Sequence, residues 1–333
     1  MTEATLRIQT CGPLVSYQDG GRLGMLRFGV PASGPMDRLA HAAAHAALGN
    51  PEGSTAIEIS TGGIDLVCET GEVTFCVSGG DFHVVHAGAR TNSWCVRTLS
   101  AGDTLAIRPG PWGSWAYLAF CGELVCKEWA GRTATHSTSG LGGGSLLAGA
   151  VVKVCDTRVS EEREGEIPFP DFARARESAR MVLGPQTGAF AAGSEEVLVG
   201  HDFAVTPASD RMGMRLSGPR LALNDALQIP SEPIVRGSIQ VAGDGVASIL
   251  LADHQTTGGY PKIATIVSVD LDWLAQLRAR DRLRFSAVEA SEAVLIARSE
   301  ASVRRQYLEQ ISVPRGDLQT RLMRENLISG FVF

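Results

Sequence analysis

Apolar residues in this chain fall in short runs separated by Gly, Asp, Asn or Ser, and that pattern predicts strands rather than helices. The runs cluster in four stretches: Ala4 to Tyr17, Ala56 to Pro109, Ser114 to Phe120 with Leu146 to Val154, and Met181 to Phe285. A helical period is confined to three places. "PMDRLAHAAAHAALGN", Pro35 to Asn50, predicts a helix with Pro35 in its first turn, Asp37 at its positive end and Gly49-Asn50 as its stop. "LDWLAQLR", Leu271 to Arg278, predicts a second, and "ASVRRQYLEQIS", Ala301 to Ser312, a third with a solvated, mixed-charge face. The expected fold class is therefore mainly β with a few short helices.

One charged segment interrupts the pattern. Arg158 to Arg180 holds two prolines and little aliphatic periodicity, which is a linker composition. It divides the chain into an N-terminal β domain (1–160), a linker (161–178), a C-terminal β domain (179–300) and a helical tail (301–333). The two halves echo one another. "GRLGM" at Gly21 matches "DRMGM" at Asp210, and "GDTLAI" at Gly102 matches "RDRLRF" at Arg280, in the same order, as a duplicated domain requires. "HSTSGLGGGSLLAG", His136 to Gly149, has the composition of a surface loop.

Composition narrows the function. A net charge of -6 without a basic stripe argues against nucleic acid as a partner. No apolar run reaches the roughly 18 residues a membrane helix needs, and the N-terminus lacks the basic and apolar regions of a secretory signal. The seven cysteines are scattered without a CxxC pair and read as small buried hydrophobes. A cytoplasmic protein is expected. No metal site is expected either: "HVVH" at His83 puts its rings on opposite strand faces, and His41 and His45 share a helical face without a third ligand. Walker A, GxSxG and strand-to-helix GxGxxG motifs are absent.

Two polar clusters stand out. The first, Tyr17 to Asp37, carries Gln18, Asp19, Arg22, Ser33 and Asp37 in a segment without strand or helix period, and loops of that kind often hold ligands. The helix beyond it offers N–H groups to an anion. The bland alternative pairs Asp19 with Arg22 across the turn and makes Ser33 the helix cap. The second cluster lies in the other half. Asp210 and Arg211 sit in a turn, Gln240 in a strand, and Asp253 where an apolar strand emerges, so that it can orient a catalytic group or accept a proton. "HQTTGGYPK" follows at once. Its glycines permit positive φ, so Thr256, Thr257, Gly258 and Gly259 can form an anion nest, with Lys262 stabilising developing negative charge.

The strings "QDGGRLGMLRFGVPASGPMD", "AIEISTGG", "SDRMGMRLSGP", "GSIQV" and "ADHQTTGGYPKIATIVSVDLDWLAQL" occur in an order that resembles the KipA family. That family is also known as the C subunit of 5-oxoprolinase, as allophanate hydrolase subunit 2 or as the biotin-dependent carboxyltransferase family. The resemblance covers roughly residues 5 to 295 and implies two cyclophilin-like β-barrel domains. It implies a hydrolase component, active only in a complex, that opens 5-oxoproline to glutamate with ATP. Its partners would be the KipI-like B subunit of 5-oxoprolinase and a lactam-utilisation-type A subunit, with ATP shared among them. Lys262, Asp253 and Tyr260 would be catalytic. Gln18, Asp19, Arg22, Ser33, Asp37, Asp210, Arg211, Gln240, Gln255, Thr256, Thr257, Gly258 and Gly259 would bind the lactam or its phosphorylated form. An alternative is a carboxyltransferase acting on urea or a similar amide, with biotin arriving on a separate carrier because no AMKM-type motif occurs. A further alternative is a non-catalytic regulator that binds a KipI-like kinase inhibitor. The chain departs from the family's pattern at His45, where Asn is common, and at His254, where Arg is usual. His254 would make its surroundings pH-sensitive near neutrality.

Overall fold

The computed structural model describes residues 2–224 and 229–316. Its N-terminal half is built from two sheets. One runs, in spatial order, Glu123–Leu124, Val151–Cys155, Glu3–Cys11, Ile64–Thr70, Thr104–Arg108, His83–His86 and Ala89–Asn92. The other runs Gly165–Glu166, Cys95–Ser100, Glu72–Ser78, Trp115–Phe120, Ala56–Ser60 and Ser16–Gln18. Alternation decides what each strand buries. Leu6, Ile8, Leu66 and Ile107 point inward from the first sheet and meet Ile57, Ile59, Phe75 and Leu118 from the second in one core. The chain turns tightly where Gly12 meets Gly62. A Cβ on Gly12 would lie 2.3 Å from the Gly62 Cα, so neither position tolerates a side chain.

The C-terminal half is a closed barrel in which Ser178–Leu183, Lys262–Ile266, Ser238–Val241, Ala247–Leu250, Gly213–Ser217, Phe203–Ser209 and Arg282–Ala287 follow one another around the wall. Closure comes from one parallel pairing, Ser178–Leu183 against Arg282–Ala287, which removes the free sheet edges. The fold is thus mainly β, with this barrel and two further large sheets.

Among the described residues there are four α-helices: α1 (Arg38–Leu48), α2 (Ser194–Gly200), α3 (Leu271–Ala275) and α4 (Ala290–Ser312). Helix α1 starts at Arg38 because the Asp37 side chain accepts the Ala40 N–H at 2.9 Å, and it stops at Gly49 in the left-handed region with φ 69°. Asp37, not Ser33, is the cap. The alanine face of α1 lies on the outer side of the second sheet, against Ala56, Cys76, Tyr117 and Ala119. The same cluster continues into the barrel through Met214, Ile239, Trp273 and Leu274, so one apolar core joins the two halves. α4 extends the third expected helix N-terminally by eleven residues and buries only Tyr307 among its described side chains. The stretch 161–178 follows the N-terminal half closely: Gly165–Glu166 pairs with Cys95–Val96, Ile167 is buried, and Phe169 meets Trp94 and Trp112 edge to face. Among the described residues no helix is long and apolar enough to cross a membrane.

Candidate functional site

The strongest electrostatic feature of the seam is buried. Arg211 is 1% exposed, and its guanidinium reaches Glu58 of the N-terminal half and Asp253 of the barrel, both fully buried. Two of its nitrogens meet the two Asp253 oxygens at 2.8 and 3.0 Å, the bidentate geometry a planar guanidinium favours. A third donates to Glu58, and Nη2 also donates to the Gly34 carbonyl at 2.8 Å. Glu58 in turn accepts the Met36 N–H and the Tyr117 hydroxyl, each at 2.8 Å. Burial alone would lower the Arg211 pKa, but Glu58 and Asp253 outweigh it and raise it. For Asp253 burial pulls the pKa up and Arg211 more than reverses this, leaving it lowered. With Ser137 N–H as a further donor at 2.9 Å, Asp253 has no oxygen facing solvent. It pins the loop His136 to Gly149 to the barrel and positions Arg211.

The N-terminal turn of α1 is likewise occupied by the protein. Met36 N–H goes to Glu58, Asp37 N–H to the Tyr117 hydroxyl, Arg38 N–H to Asp272 at 3.0 Å, and Ala40 N–H to Asp37. These four donors are therefore spent on internal groups rather than left for an external anion. Asp37 is buried, and its second oxygen accepts from Gln276 at 2.8 Å. Burial first, then the neighbouring Asp272, pushes its pKa up to about 7. Arg236 closes the same region by donating to the Pro35 and Met36 carbonyls. Its pKa is lowered to about 10, mainly by burial and then by Arg38.

The remaining residues of the first cluster hold the loop in shape. Asp19 accepts the Gly21 and Thr133 N–H groups at 2.9 Å each. Arg22 does not pair with it: its guanidinium donates to the Trp129 and Ala134 carbonyls and lies 5.1 Å from the Trp129 ring centroid. Gln18 is buried and donates to Ser16 and Thr135, while Ser33 is buried with φ 52°. Asp210 caps its own turn through the Met212 and Gly213 N–H groups. It also lines a seam cavity of about 470 Å³ together with Leu14, Trp115 and Arg278.

The second cluster is different, because it reaches solvent. Gln255, Thr257 and Tyr260 are exposed, and Thr256, Gly258 and Lys262 are partly so. Thr257–Gly258 forms a two-stranded ribbon with Glu232–Pro233. Neither Gly258 nor Gly259 adopts a positive φ, contrary to the reading from sequence. A nest of successive N–H groups needs such a kink, and this loop lacks it. Gly258 is required for another reason: a Cβ there would come within 2.9 Å of Gln240 Nε2, the amide that donates to the Tyr260 carbonyl at 3.2 Å. Lys262 begins the next barrel strand. Its N–H goes to Gln186 Oε1 at 2.9 Å, and its ammonium pairs with Glu232 at 3.3 Å. The Gln186 amide completes the triangle by donating to Glu232 at 2.5 Å.

Thus Lys262, Gln240, Tyr260 and the Thr257–Gly258 ribbon are brought together on one rim of the barrel. Asp253 and Arg211 form the floor between the halves, and Gln18, Asp19 and Arg22 brace a separate loop. Reasoning from sequence missed Glu58, Tyr117, Gln186, Glu232 and Gln276. Only Glu58 carried a signal, as an acid inside the apolar run "AIEIS". His254 is buried, and burial lowers its pKa from the usual histidine value, which moves its charge change away from neutrality. His45 is also buried, next to His41 at a ring separation of 4.7 Å. Burial lowers His41 to about 4 and His45 well below its usual value. Among the described residues no group of three metal-ligating side chains occurs.

Residues 28–287 match the family described as carboxyltransferase domain, subdomain A and B. The chain is 33% identical over 299 residues to the C subunit of 5-oxoprolinase from Haemophilus influenzae, covering 89% of this chain and 94% of that protein. It is 29% identical to the protein of the same name from Escherichia coli, covering 92% and 97%. The fold matches the crystal structure of Kluyveromyces lactis urea carboxylase with a TM-score of 0.80 at 24% identity, covering 93% of this chain and 30% of that one.

Proposed function

Because the chain belongs to the carboxyltransferase domain, subdomain A and B family, we propose that it is the C-type subunit of an ATP-dependent 5-oxoprolinase. In this role it opens the lactam of 5-oxoproline to glutamate in a complex with a KipI-like and a lactam-utilisation-type subunit. The observation that carries this reading is the end-to-end correspondence with two 5-oxoprolinase C subunits, at 94% and 97% of their lengths. The urea carboxylase reading has less support, since in the Kluyveromyces lactis protein the same fold makes up 30% of a much longer chain.

The rim around Lys262 suits such a substrate. The ammonium attracts an anionic group, the Thr256 and Thr257 hydroxyls donate to or accept from an amide, and the exposed Tyr260 ring can cover an apolar ring face. The buried Arg211 network contributes rigidity: it fixes the strand end that leads into the rim, so the binding groups are held in place before the ligand arrives.

The test is reconstitution with the two partner subunits. Glutamate release that requires both ATP and 5-oxoproline is expected. Carboxylation of urea or another amide that requires carboxybiotin, without glutamate release, would replace this reading by the carboxyltransferase one.

A further inference from the structure

The Lys262 ammonium is not an open cation. Glu232 is the one carboxylate within ion-pair distance of it among the described residues, at 3.3 Å, and the Gln186 amide donates to the same oxygen, Glu232 Oε2, at 2.5 Å. Gln186 is itself fixed, because its carbonyl accepts the Lys262 backbone N–H at 2.9 Å. One cation and one amide N–H therefore converge on a single carboxylate oxygen. That is the donor set a small carboxylate ligand needs.

The pair is also lopsided. The Lys262 side chain is 13% exposed and the Glu232 side chain 50%. Lys262 is held in the barrel wall, whereas Glu232 stands on the two-residue ribbon strand Glu232–Pro233 opposite Thr257–Gly258. The glutamate side chain can swing into water, where its carboxylate is fully hydrated. Lys262 and Gln186 stay behind with their donors unfilled.

We propose that Glu232 is an internal stand-in for the carboxylate of the substrate, held by Lys262 and Gln186 until an incoming small carboxylic acid displaces it. This rests on the placement of the lactam site at Lys262. It assigns the anionic end of the substrate to Lys262 and Gln186, and it makes Glu232 a determinant of affinity: every binding event must first break the Lys262–Glu232 pair. A carboxylate is favoured over a phosphoryl group because the two donors already hold one at hydrogen-bonding distance.

Titration calorimetry of the full chain with 5-oxoproline, with 2-pyrrolidone as the same lactam lacking the carboxylate, tests the proposal. A half-exposed ion pair is worth up to about a fivefold change in an equilibrium constant. Glu232→Gln is therefore expected to tighten 5-oxoproline binding by roughly three- to fivefold while leaving 2-pyrrolidone unchanged. In the reconstituted enzyme the effect should fall on KM. Lys262→Met should abolish the gain in the Glu232→Gln background. Unchanged or weaker 5-oxoproline binding by Glu232→Gln, including no detectable binding by either protein, overturns the stand-in role. An equal gain for 2-pyrrolidone also overturns it, because the carboxylate would then not be the group displaced. A gain for inorganic phosphate in place of 5-oxoproline overturns the carboxylate assignment. If 5-oxoproline binds Lys262→Met as tightly as the unsubstituted chain, the site placement itself fails, and that result is distinct from the others.

Discussion

Replacing Arg211 by methionine is expected to lower the unfolding free energy by about 3–5 kcal/mol, measured by chemical denaturation near neutral pH. The side chains are of similar length, so the lost stability comes from charge rather than volume. Without the guanidinium, Glu58 and Asp253 remain fully buried on opposite sides of the seam with no cation between them. An uncompensated buried carboxylate loses its hydration and must either protonate or open a path to water. Adding Glu58→Gln and Asp253→Asn to the methionine variant should restore much of the loss, because removing all the charges also removes the desolvation penalty. A single-site loss unrelieved by those two changes would mean that Arg211 acts mainly through packing.

Asp37 gives the second large effect, and it is read as a dependence on pH. Its pKa is about 7 in the fold and 3.8 in the reference state. Between those values the folded chain holds a proton that the unfolded chain does not, so stability contributed by this carboxyl falls as pH rises from about 4 to about 7. Above pH 7 the full penalty applies; below pH 4 it disappears. The shift corresponds to at most about 4 kcal/mol. Asp37→Asn should keep the α1 cap, since Asn caps as well as Asp. It also gives up the bond from Gln276, which favours the ionised carboxyl and is already part of the net shift. The quantity to measure is therefore the stability of the variant minus that of the parent, at pH 8 and again at pH 4. That difference should be more favourable to the variant at pH 8 by a few kcal/mol, up to the about 4 kcal/mol given by the shift. The buried His41 and His45 are depressed groups, so they destabilise the fold as pH falls below about 6.5, but they are common to both proteins and cancel. An equal difference at both pH values would contradict the assignment.

These two effects mark where the sequence was readable and where it was not. Strand runs, the Asp37 and Gly49 ends of α1, and the crowded loop at Thr256 to Lys262 follow from local period, capping chemistry and polar load. They need only neighbours in sequence. The Glu58–Arg211 contact joins residues 153 positions apart, and Arg211 with Asp253 closes it from a third segment. Nothing within a short window says that an arginine in the turn "SDRMG" faces inward. The same limit explains Asp253, read as an emerging catalytic acid, whose strand end emerges beneath the other half of the chain instead of into solvent. Gly258 shows a subtler failure. Paired glycines in a turn suggest positive φ, but here a side-chain amide from another strand fills the space a Cβ would need. Glu232 and Gln186 lay outside both polar clusters because each is an ordinary surface residue until the barrel brings it to Lys262.

The central claim is that this chain supplies a lactam-acid site built around Lys262. The most direct measurement is the initial rate of glutamate release by the complex reconstituted with Lys262→Met, compared at equal folded concentration with the unsubstituted chain. Loss of the charged anchor for the substrate is expected to cut kcat/KM by about a hundredfold, in line with a charge-assisted contact worth about 2–3 kcal/mol. The variant should keep its far-UV circular dichroism and its assembly with partners, because among the described residues the ammonium pairs only with a half-exposed glutamate. Glutamate release by Lys262→Met at the unsubstituted rate would contradict the claim.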